Sequence, residues 1–409
     1  MPNKIFYNWV VALIIFSAPI LTLTVPHGGT GNYFLLILIG MVTGWKQFRL
    51  FNDFEKYFWG GFLLLFLVNL VSFSQTENLS GGYTWLGKYL YLFLGVFAYA
   101  VIKEKFDFII KYIDLFLFLN ALLITFFASY QYFYLQIGRV SGNAHPILFG
   151  DITVALLGLI LCRIFYTRFN WMLYLAMIFC FYSAALTLTR GALIAIPVVL
   201  TLLFIMAKAY KSTFSKITIL LVAMFLIASL TIDGSPIKER VLLYTIQDLK
   251  NYQVDTNNAG ALTLRFEFWR NSLILLKDAP FIGIGPGDYN VEMKRLVDSG
   301  LSINKSEMNY LWTPHSNYVN ALVTSGILGL MGHISAIFLI PLILLYRSKI
   351  PFEKSSYFII VITSYFIFGL STTWISTNAA YSNFMLFLLM SMAYIHSKDL
   401  KITKQNIEG

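Results

Sequence analysis

The chain has 409 residues, of which 58% are hydrophobic and 12% are charged, and its mean hydropathy is +0.69. Soluble domains carry charge on about 25% of their residues, so this composition excludes an ordinary soluble fold and indicates a membrane protein. The net charge of +10 could suggest nucleic-acid binding, but most of the excess lies in short connections beside apolar stretches, where cations contact anionic headgroups. We therefore expect membrane lipids, and no nucleic acid, as partners.

Twelve apolar stretches follow one another along the chain, and a membrane-crossing helix needs about 20 residues of this kind. We predict an all-α integral membrane protein with about 12 transmembrane helices, forming a single polytopic domain over residues 1–409. The predicted spans cover residues 9–24, 33–43, 57–72, 89–102, 113–130, 147–161, 171–186, 192–207, 217–232, 318–346, 357–370 and 381–395.

Lysine and arginine are concentrated in alternate connections, at 46–56, 103–111, 163–168, 208–216 and 347–354, and in both tails. Cytoplasmic loops carry this excess, so both termini are predicted to face the cytoplasm. One large water-soluble segment, residues 233–316 between predicted spans 9 and 10, then lies on the opposite side; we call it the outer segment. A long connection held between membrane helices is usually kept for a function.

Basic residues are few on the predicted outer side, where Lys88, Arg139 and Arg190 stand out. Arg190 lies between two apolar runs and has no acidic neighbour in the sequence. Such a cation can extend to headgroups, but on the face where cations are disfavoured a functional role is the better explanation. Arginine pairs bidentately with phosphate, so these residues suit a lipid phosphate or diphosphate. For Arg139 a structural role is favoured.

An amphipathic helix is predicted inside the outer segment, with its apolar stripe against the membrane body. Arg265 lies on this helix, four residues before Trp269. It either binds an anion or forms a salt bridge to Glu267 or Asp288. The stripe consists of Leu262, Phe266, Trp269, Leu273 and Leu276.

Glycines and prolines are dense at residues 280–287, which predicts a tight turn whose backbone approaches another element closely. Further along, Thr313 is predicted to cap the next helix, with Pro314 at its first position and His315 in its first turn. There the helix dipole would hold the imidazole neutral, as a general base requires. Packing or capping at the membrane interface remains the alternative for His315.

Neither a thiolate metal site nor a disulfide is expected in the outer segment, because Cys162 and Cys180 both lie in or beside predicted spans. The histidines show no spacing typical of a zinc site, so we expect no metal and no cofactor. Asp151 lies just inside a span and is interpreted as a carboxylate stabilised near a helix N-terminus.

Four sequence elements resemble the O-antigen ligase and polymerase superfamily of bacterial inner-membrane glycosyltransferases. They are the T-x-[ST]-R-G pattern at 187–191, the R-x-x-x-W element at 265–269, the P-x-x-G-x-G turn at 280–287 and the H-[SN]-x-x-[LIV] segment at 315–329 with its trailing G-x-x-G. A weaker element surrounds Arg139. The resemblance extends to the topology of the whole chain.

The resemblance implies an O-antigen ligase in lipopolysaccharide biosynthesis, with its active site on the periplasmic face of the inner membrane. Such an enzyme moves a polysaccharide from undecaprenyl diphosphate to the lipid A-core oligosaccharide, inverting the anomeric centre without a metal. His315 would be the catalytic base and Arg190 and Arg265 would hold the diphosphate. Arg139, Trp269 and Asn317 are further candidates for substrate binding.

Other functions remain open at this point. The alternatives are a repeat-unit polymerase or a related oligosaccharyltransferase, and the single dominant outer segment favours the ligase. The short basic tail after residue 395 argues against protein as the acceptor. A lipid or solute transporter is a different class, but transporters place polar groups at the bilayer midplane, whereas here the midplanes are almost uncharged.

Overall fold

The computed structural model describes residues 2–143, 145–167, 169–206, 216, 220, 222–224, 227, 231–232, 235–254, 260–303 and 312–397. Over these residues the chain consists of α-helices joined by loops and short 3₁₀ or π turns, which confirms the predicted all-helical class. The eight main helices before the outer segment are α1 (Pro2–Thr24), α2 (Gly28–Thr43), α3 (Asp53–Ser72), α4 (Leu79–Ile109), α5 (Ile113–Ser129), α6 (Pro146–Tyr166), α7 (Trp171–Thr187) and α8 (Arg190–Met206).

The remaining main helices in the described part of the chain lie within and after the outer segment. Those within it are α9 (Tyr244–Val254), α10 (Thr263–Leu276) and α11 (Tyr289–Asp298). Those after it are α12 (Asn317–Ile334), α13 (Ile340–Arg347), α14 (Phe352–Ser371) and α15 (Asn378–His396). A π-helical turn, Glu239–Leu243, leads directly into α9, and a 3₁₀ turn, Trp374–Ser376, connects α14 with α15.

Seven helical stretches in the described residues are long and apolar enough to cross a membrane, and three shorter apolar helices accompany them. One of the seven, Leu79–Tyr134, has 56 residues and contains both α4 and α5. Eleven of the predicted spans coincide with described helices, and the ninth, 217–232, lies largely outside the described residues. The protein is therefore an all-helical, multi-pass membrane protein.

Close packing between helices depends on small residues, as expected where lipid gives no hydrophobic drive for helix association. Gly40 of α2 lies against the backbone of α4, where a Cβ would come within 2.1 Å of the Phe97 carbonyl oxygen. Gly158 of α6 lies against the side chain of Ile360 in α14. A Cβ on Gly158 would lie 2.7 Å from the Ile360 Cγ2 atom. These contacts let the helices bury a continuous apolar core.

Side-chain contacts join the predicted cytoplasmic connections at one end of the helix bundle. Glu55 at the start of α3 pairs with Lys103 near the end of α4, at 2.7 Å. Arg163 at the end of α6 pairs with Asp114 at the start of α5, also at 2.7 Å. The connections predicted to face outward meet at the other end of the bundle, which we call the site end. One contact there is the hydrogen bond from the Asn143 N–H to the Leu23 carbonyl.

The turn at 280–287 docks on a break in α12 at the site end. Gly326 has φ 64° and ψ −165°, which frees backbone groups on either side of it. The N–H groups of Ile284 and Gly285 donate to the carbonyls of residues 323 and 324, and the N–H groups of residues 327 and 328 donate back to residues 280 and 281. The predicted close approach of this turn is thus confirmed: a Cβ on Gly326 would lie 2.2 Å from the Phe281 carbonyl carbon.

Helix α10 forms as predicted, but the predicted buried stripe is wrong. Phe266 and Leu273 are 37% and 57% exposed, whereas Phe268 and Leu275 are buried. The reason is tertiary: the buried pair packs on Tyr289, Met293 and Leu296 of α11 and on Val323 of α12, which together form a separate small core for the outer segment.

Candidate active site

His315 lies in the loop just before α12, not in its first turn. Ser316 is the N-cap: its hydroxyl accepts from the Val319 N–H and donates to the Gly369 carbonyl at 3.2 Å. The prediction that Thr313 caps the helix is therefore wrong, because the contact to Gly369 places Ser316 in that role. His315 itself has φ 52°, a left-handed backbone that a residue with a Cβ adopts only when its surroundings hold it there.

The imidazole of His315 is neutral at physiological pH, but for a different reason than the one predicted. Its ring centroid lies 5.8 Å from that of Phe268. Burial, followed by the positive charge of Arg265 and the influence of His145, lowers the pKa of His315 to about 4. Desolvation and a neighbouring cation therefore do what the helix dipole was expected to do.

Four arginines lie close enough together to influence one another, and one of them, Arg265, acts on His315. Three of the four were predicted as candidates, and Arg240 was not. Burial and then the charges of Arg240 and Arg190 lower the pKa of Arg139. The pKa of Arg265 is likewise lowered, first by burial and next by Arg190. We call Arg139, Arg190, Arg240 and Arg265 the arginine cluster; they repel one another, which leaves a strong preference for an anion among them.

One carboxylate acts on this cluster among the described residues. Asp248 of α9 lies 4.0 Å from Arg190, and it also accepts from the Leu262 N–H at 3.1 Å. Both predicted salt-bridge partners of Arg265 have other hydrogen-bond donors. Glu267 accepts from Tyr252 and Arg270, and Asp288 accepts from the N–H groups of residues 77 and 78. A single carboxylate leaves the arginine cluster with excess positive charge.

Two hydrogen-bond donors of the arginine cluster that lack partners in the described part of the chain also favour an anion there. The Nε atoms of Arg190 and Arg265 are buried and have no hydrogen-bond partner among the described residues. Arg190 also stands at the N-terminus of α8, where the helix dipole favours an anion over a cation. Buried donors without partners are costly, so these two Nε–H groups are suited to acceptor oxygens.

The remaining predicted residues surround the same loop. The Trp269 indole donates to the Pro314 carbonyl at 3.1 Å, which ties α10 to the residue before His315. The Asn317 side-chain oxygen accepts from the Ile375 N–H at 3.3 Å, while its buried amide nitrogen has no partner among the residues that the structure describes. Arg139 donates to the Thr187 carbonyl at 3.2 Å, next to the turn that carries Arg190.

Two cavities open on either side of His315 and share Thr313 and Ser376 in their walls. The smaller, of about 200 Å³, also contains His145 and Asp151. Asp151 was interpreted from the sequence as a carboxylate stabilised near a helix N-terminus. In the structure it is 5% exposed and lines this cavity. The larger cavity, of about 610 Å³, is lined by Asn78, Ser80, Gly81, Thr84, Trp85, Lys88, Gly287, Trp312, Thr313, His315 and Ser376.

Sequence reasoning missed Arg240 and Asp248 because neither belongs to a recognisable pattern. Asp248 lies on α9 and Arg240 lies in the π-helical turn before it. Only the packing of this region beside the start of α8 brings both residues to Arg190. The one available signal was that Arg240 is another cation of the outer segment. Within the described residues, no group of three or more histidine, cysteine or carboxylate side chains is placed to hold a metal.

Fold and site together define a class: multi-pass helical membrane proteins with a half-buried histidine beside an arginine cluster at one end of the bundle. Residues 175–334 match the model of a family described as O-antigen ligase (Wzy_C). The matched region contains Arg190, Arg265, Trp269, His315 and Asn317. Over these residues the chain is similar to that family.

One curated protein is similar to part of this chain, and its description states no function. An uncharacterized protein of Haemophilus influenzae is 28% identical over 159 residues, which are 38% of this chain. The aligned region spans 39% of that protein's length.

Proposed function

We propose that the protein is an O-antigen ligase, a glycosyltransferase that moves polysaccharide from undecaprenyl diphosphate to the lipid A-core oligosaccharide. The observation that carries this proposal is the neutral, half-buried His315 beside Arg265, which belongs to a cluster of four arginines. A base next to an anion site is what glycosyl transfer from a diphosphate carrier requires. In this proposal the chain crosses the bacterial inner membrane about 12 times, with cytoplasmic termini and the site end in the periplasm.

The reaction follows from the placement of these groups. His315 accepts the proton of the acceptor hydroxyl as the hydroxyl oxygen attacks the anomeric carbon of the donor sugar. The bond from that carbon to the diphosphate oxygen breaks, and the configuration inverts. Undecaprenyl diphosphate leaves with the bonding electrons, and Arg190 and Arg265 stabilise the charge that develops on it. No metal is assigned a role in these steps.

Donor binding would also strengthen the base. The charge of Arg265 is one cause of the low pKa of His315. A diphosphate bound to the arginine cluster offsets that charge, so the pKa of His315 rises in the complex. The imidazole then becomes a better proton acceptor when the donor is in place.

The test uses cells that lack the gene, complemented with wild type, His315→Ala or Arg270→Ala. Arg270 is the control because it lies on the same helix as Arg265, is 54% exposed and pairs with Glu267. We expect wild type and Arg270→Ala to restore long-chain lipopolysaccharide on a gel. With His315→Ala, the ladder should be absent and polymerised glycan should accumulate on the carrier.

The same experiment separates the alternatives. Accumulation of single repeat units on the carrier would make the protein a repeat-unit polymerase. An unchanged lipopolysaccharide ladder in the His315→Ala cells would remove His315 from the mechanism. Loss of a glycan from a protein, with normal lipopolysaccharide, would favour the related oligosaccharyltransferases.

A further inference from the structure

The larger cavity beside His315 has the composition of a sugar-binding site. Trp85 is buried in its wall and Trp312 is 63% exposed at its edge. Asn78, Ser80 and Thr84 add amide and hydroxyl groups. Flat aromatic faces combined with a few polar groups suit the apolar faces and hydroxyls of a glycan, and about 610 Å³ falls within the usual range of ligand pockets.

Lys88 adds a charge to this cavity. Its ammonium donates to the Ser376 carbonyl at 2.6 Å and lies 4.5 Å from the centre of the Trp85 ring. An ammonium has three donors, so these contacts fix its position and leave capacity for another acceptor. No carboxylate lines the cavity among the described residues, so no carboxylate there neutralises it. On the predicted outer side, where cations are disfavoured, Lys88 calls for a functional explanation.

The cavity is separate from the donor's anion site but shares the base. Arg139, Arg190, Arg240 and Arg265 do not line it, whereas His315 does. A hydroxyl bound there would reach His315 while the diphosphate occupies the arginine cluster. In this arrangement the acceptor occupies the larger cavity and the donor diphosphate occupies the arginine cluster.

We propose that this cavity binds the terminal sugars of the acceptor, and that Lys88 selects an acceptor bearing a phosphate or carboxylate group close to the reacting hydroxyl. The inference rests on the proposed function, because it presupposes a glycan acceptor. Lys88 is a specificity-determining residue in this account; it takes no proton and breaks no bond.

The test measures kcat/KM with one carrier-linked glycan donor and three synthetic glycolipids, ending in glucose, glucose 6-phosphate or glucuronic acid. Wild type should prefer at least one charged acceptor over the neutral one by about tenfold. The acceptor with the higher kcat/KM, glucose 6-phosphate or glucuronic acid, shows whether Lys88 selects a phosphate or a carboxylate. Lys88→Gln should reduce this preference to less than about twofold, chiefly through a lower kcat/KM for the charged acceptors, and Lys88→Arg should keep part of it.

Lys277→Gln is the matched control, since it removes an exposed lysine of the outer segment and should keep the full preference. If Lys88→Gln does not fold, Thr84→Glu places a negative charge in the cavity and should lower kcat/KM for the charged acceptors more than for the neutral acceptor. An equal preference in wild type and in the Lys88 or Thr84 variants would overturn the inference and leave the ligase proposal intact. Failure of wild type to use any of the three glycolipids would overturn both.

Discussion

At the scale of single residues, the environment of His315 accounts for its chemistry. The left-handed backbone at His315 turns the chain just before Ser316 caps α12, and the Trp269 indole holds the preceding carbonyl. Phe268 and Arg265 then set the charge state of the ring. A fixed, neutral imidazole follows from tertiary contacts and not from a helix terminus.

The pH dependence of transfer reports this charge state. A base works in its unprotonated form, so kcat/KM for the donor should stay level from neutral pH to about pH 5 and decline as the pH falls through about 4. Bound diphosphate offsets Arg265, so the acid limb of kcat should lie at higher pH than that of kcat/KM. Initial rates across this range measure both limbs; coincident limbs near the ordinary histidine value would contradict the account.

Substitution of the arginines tests the anion site. Arg190→Ala and Arg265→Ala should each reduce transfer by about a hundredfold or more, because a buried charge-assisted contact to the diphosphate is lost. Arg190→Lys and Arg265→Lys keep the charge but lose the planar fork, so partial activity is expected. The rate of product formation with purified variants is the measurement. Near-normal rates for both alanine variants would refute the diphosphate role.

His315, Arg190 and Arg265 could be proposed as candidates from the sequence alone, because each stands in a short pattern or an unusual position. The sequence could not supply Arg240 or Asp248, which reach Arg190 only through the packing of α9. It also misplaced the helix cap, since Thr313 and Ser316 are both good caps and only the contact to Gly369 decides between them.

At the scale of elements, the site depends on a broken helix. The break at Gly326 lets the turn at 280–287 pair with backbone groups of α12, and the outer segment's small core closes over the same region through Val323. This arrangement connects α10, with Arg265 and Trp269, to the helix that follows His315. Periodicity predicted α10 correctly but could not show which of its faces α11 and α12 would cover.

Gly326→Ala should break this docking. Its backbone conformation alone costs a residue with a Cβ about 1–3 kcal/mol, and the contact with the Phe281 backbone adds about 1–3 kcal/mol. Gly300→Ala is the control, because Gly300 also has positive φ but nothing lies within 4 Å of its Cβ position. Thermal unfolding and limited proteolysis of the outer segment should show a larger loss for Gly326→Ala; equal effects would rule out the docking contact as its cause.

At the scale of the whole molecule, the helix bundle has two chemically different ends. Pairs such as Glu55–Lys103 and Arg163–Asp114 occupy one end, while the arginine cluster and both His315 cavities occupy the other. Composition and the distribution of cations were enough to predict the helical class and this separation. The number of crossings is harder to predict, because three of the apolar helices have only 16 or 17 residues.

Cysteine labelling tests the orientation. Cys162 and Cys180 are free and buried, so their replacement by alanine gives a background for single exposed cysteines. Lys277→Cys should react with a membrane-impermeant maleimide added to spheroplasts, and Lys349→Cys should react only after the membrane is opened. The reverse pattern would invert the predicted topology.

The most direct measurement is glycan transfer by the purified protein in detergent, with a carrier-linked polysaccharide donor and a lipid A-core acceptor. Without a membrane gradient, the account predicts that wild type joins the glycan to the acceptor and releases one undecaprenyl diphosphate per transfer. His315→Ala should form almost no product while remaining folded. Product formation by His315→Ala at the wild-type rate, or no transfer by wild type, would contradict the central claim.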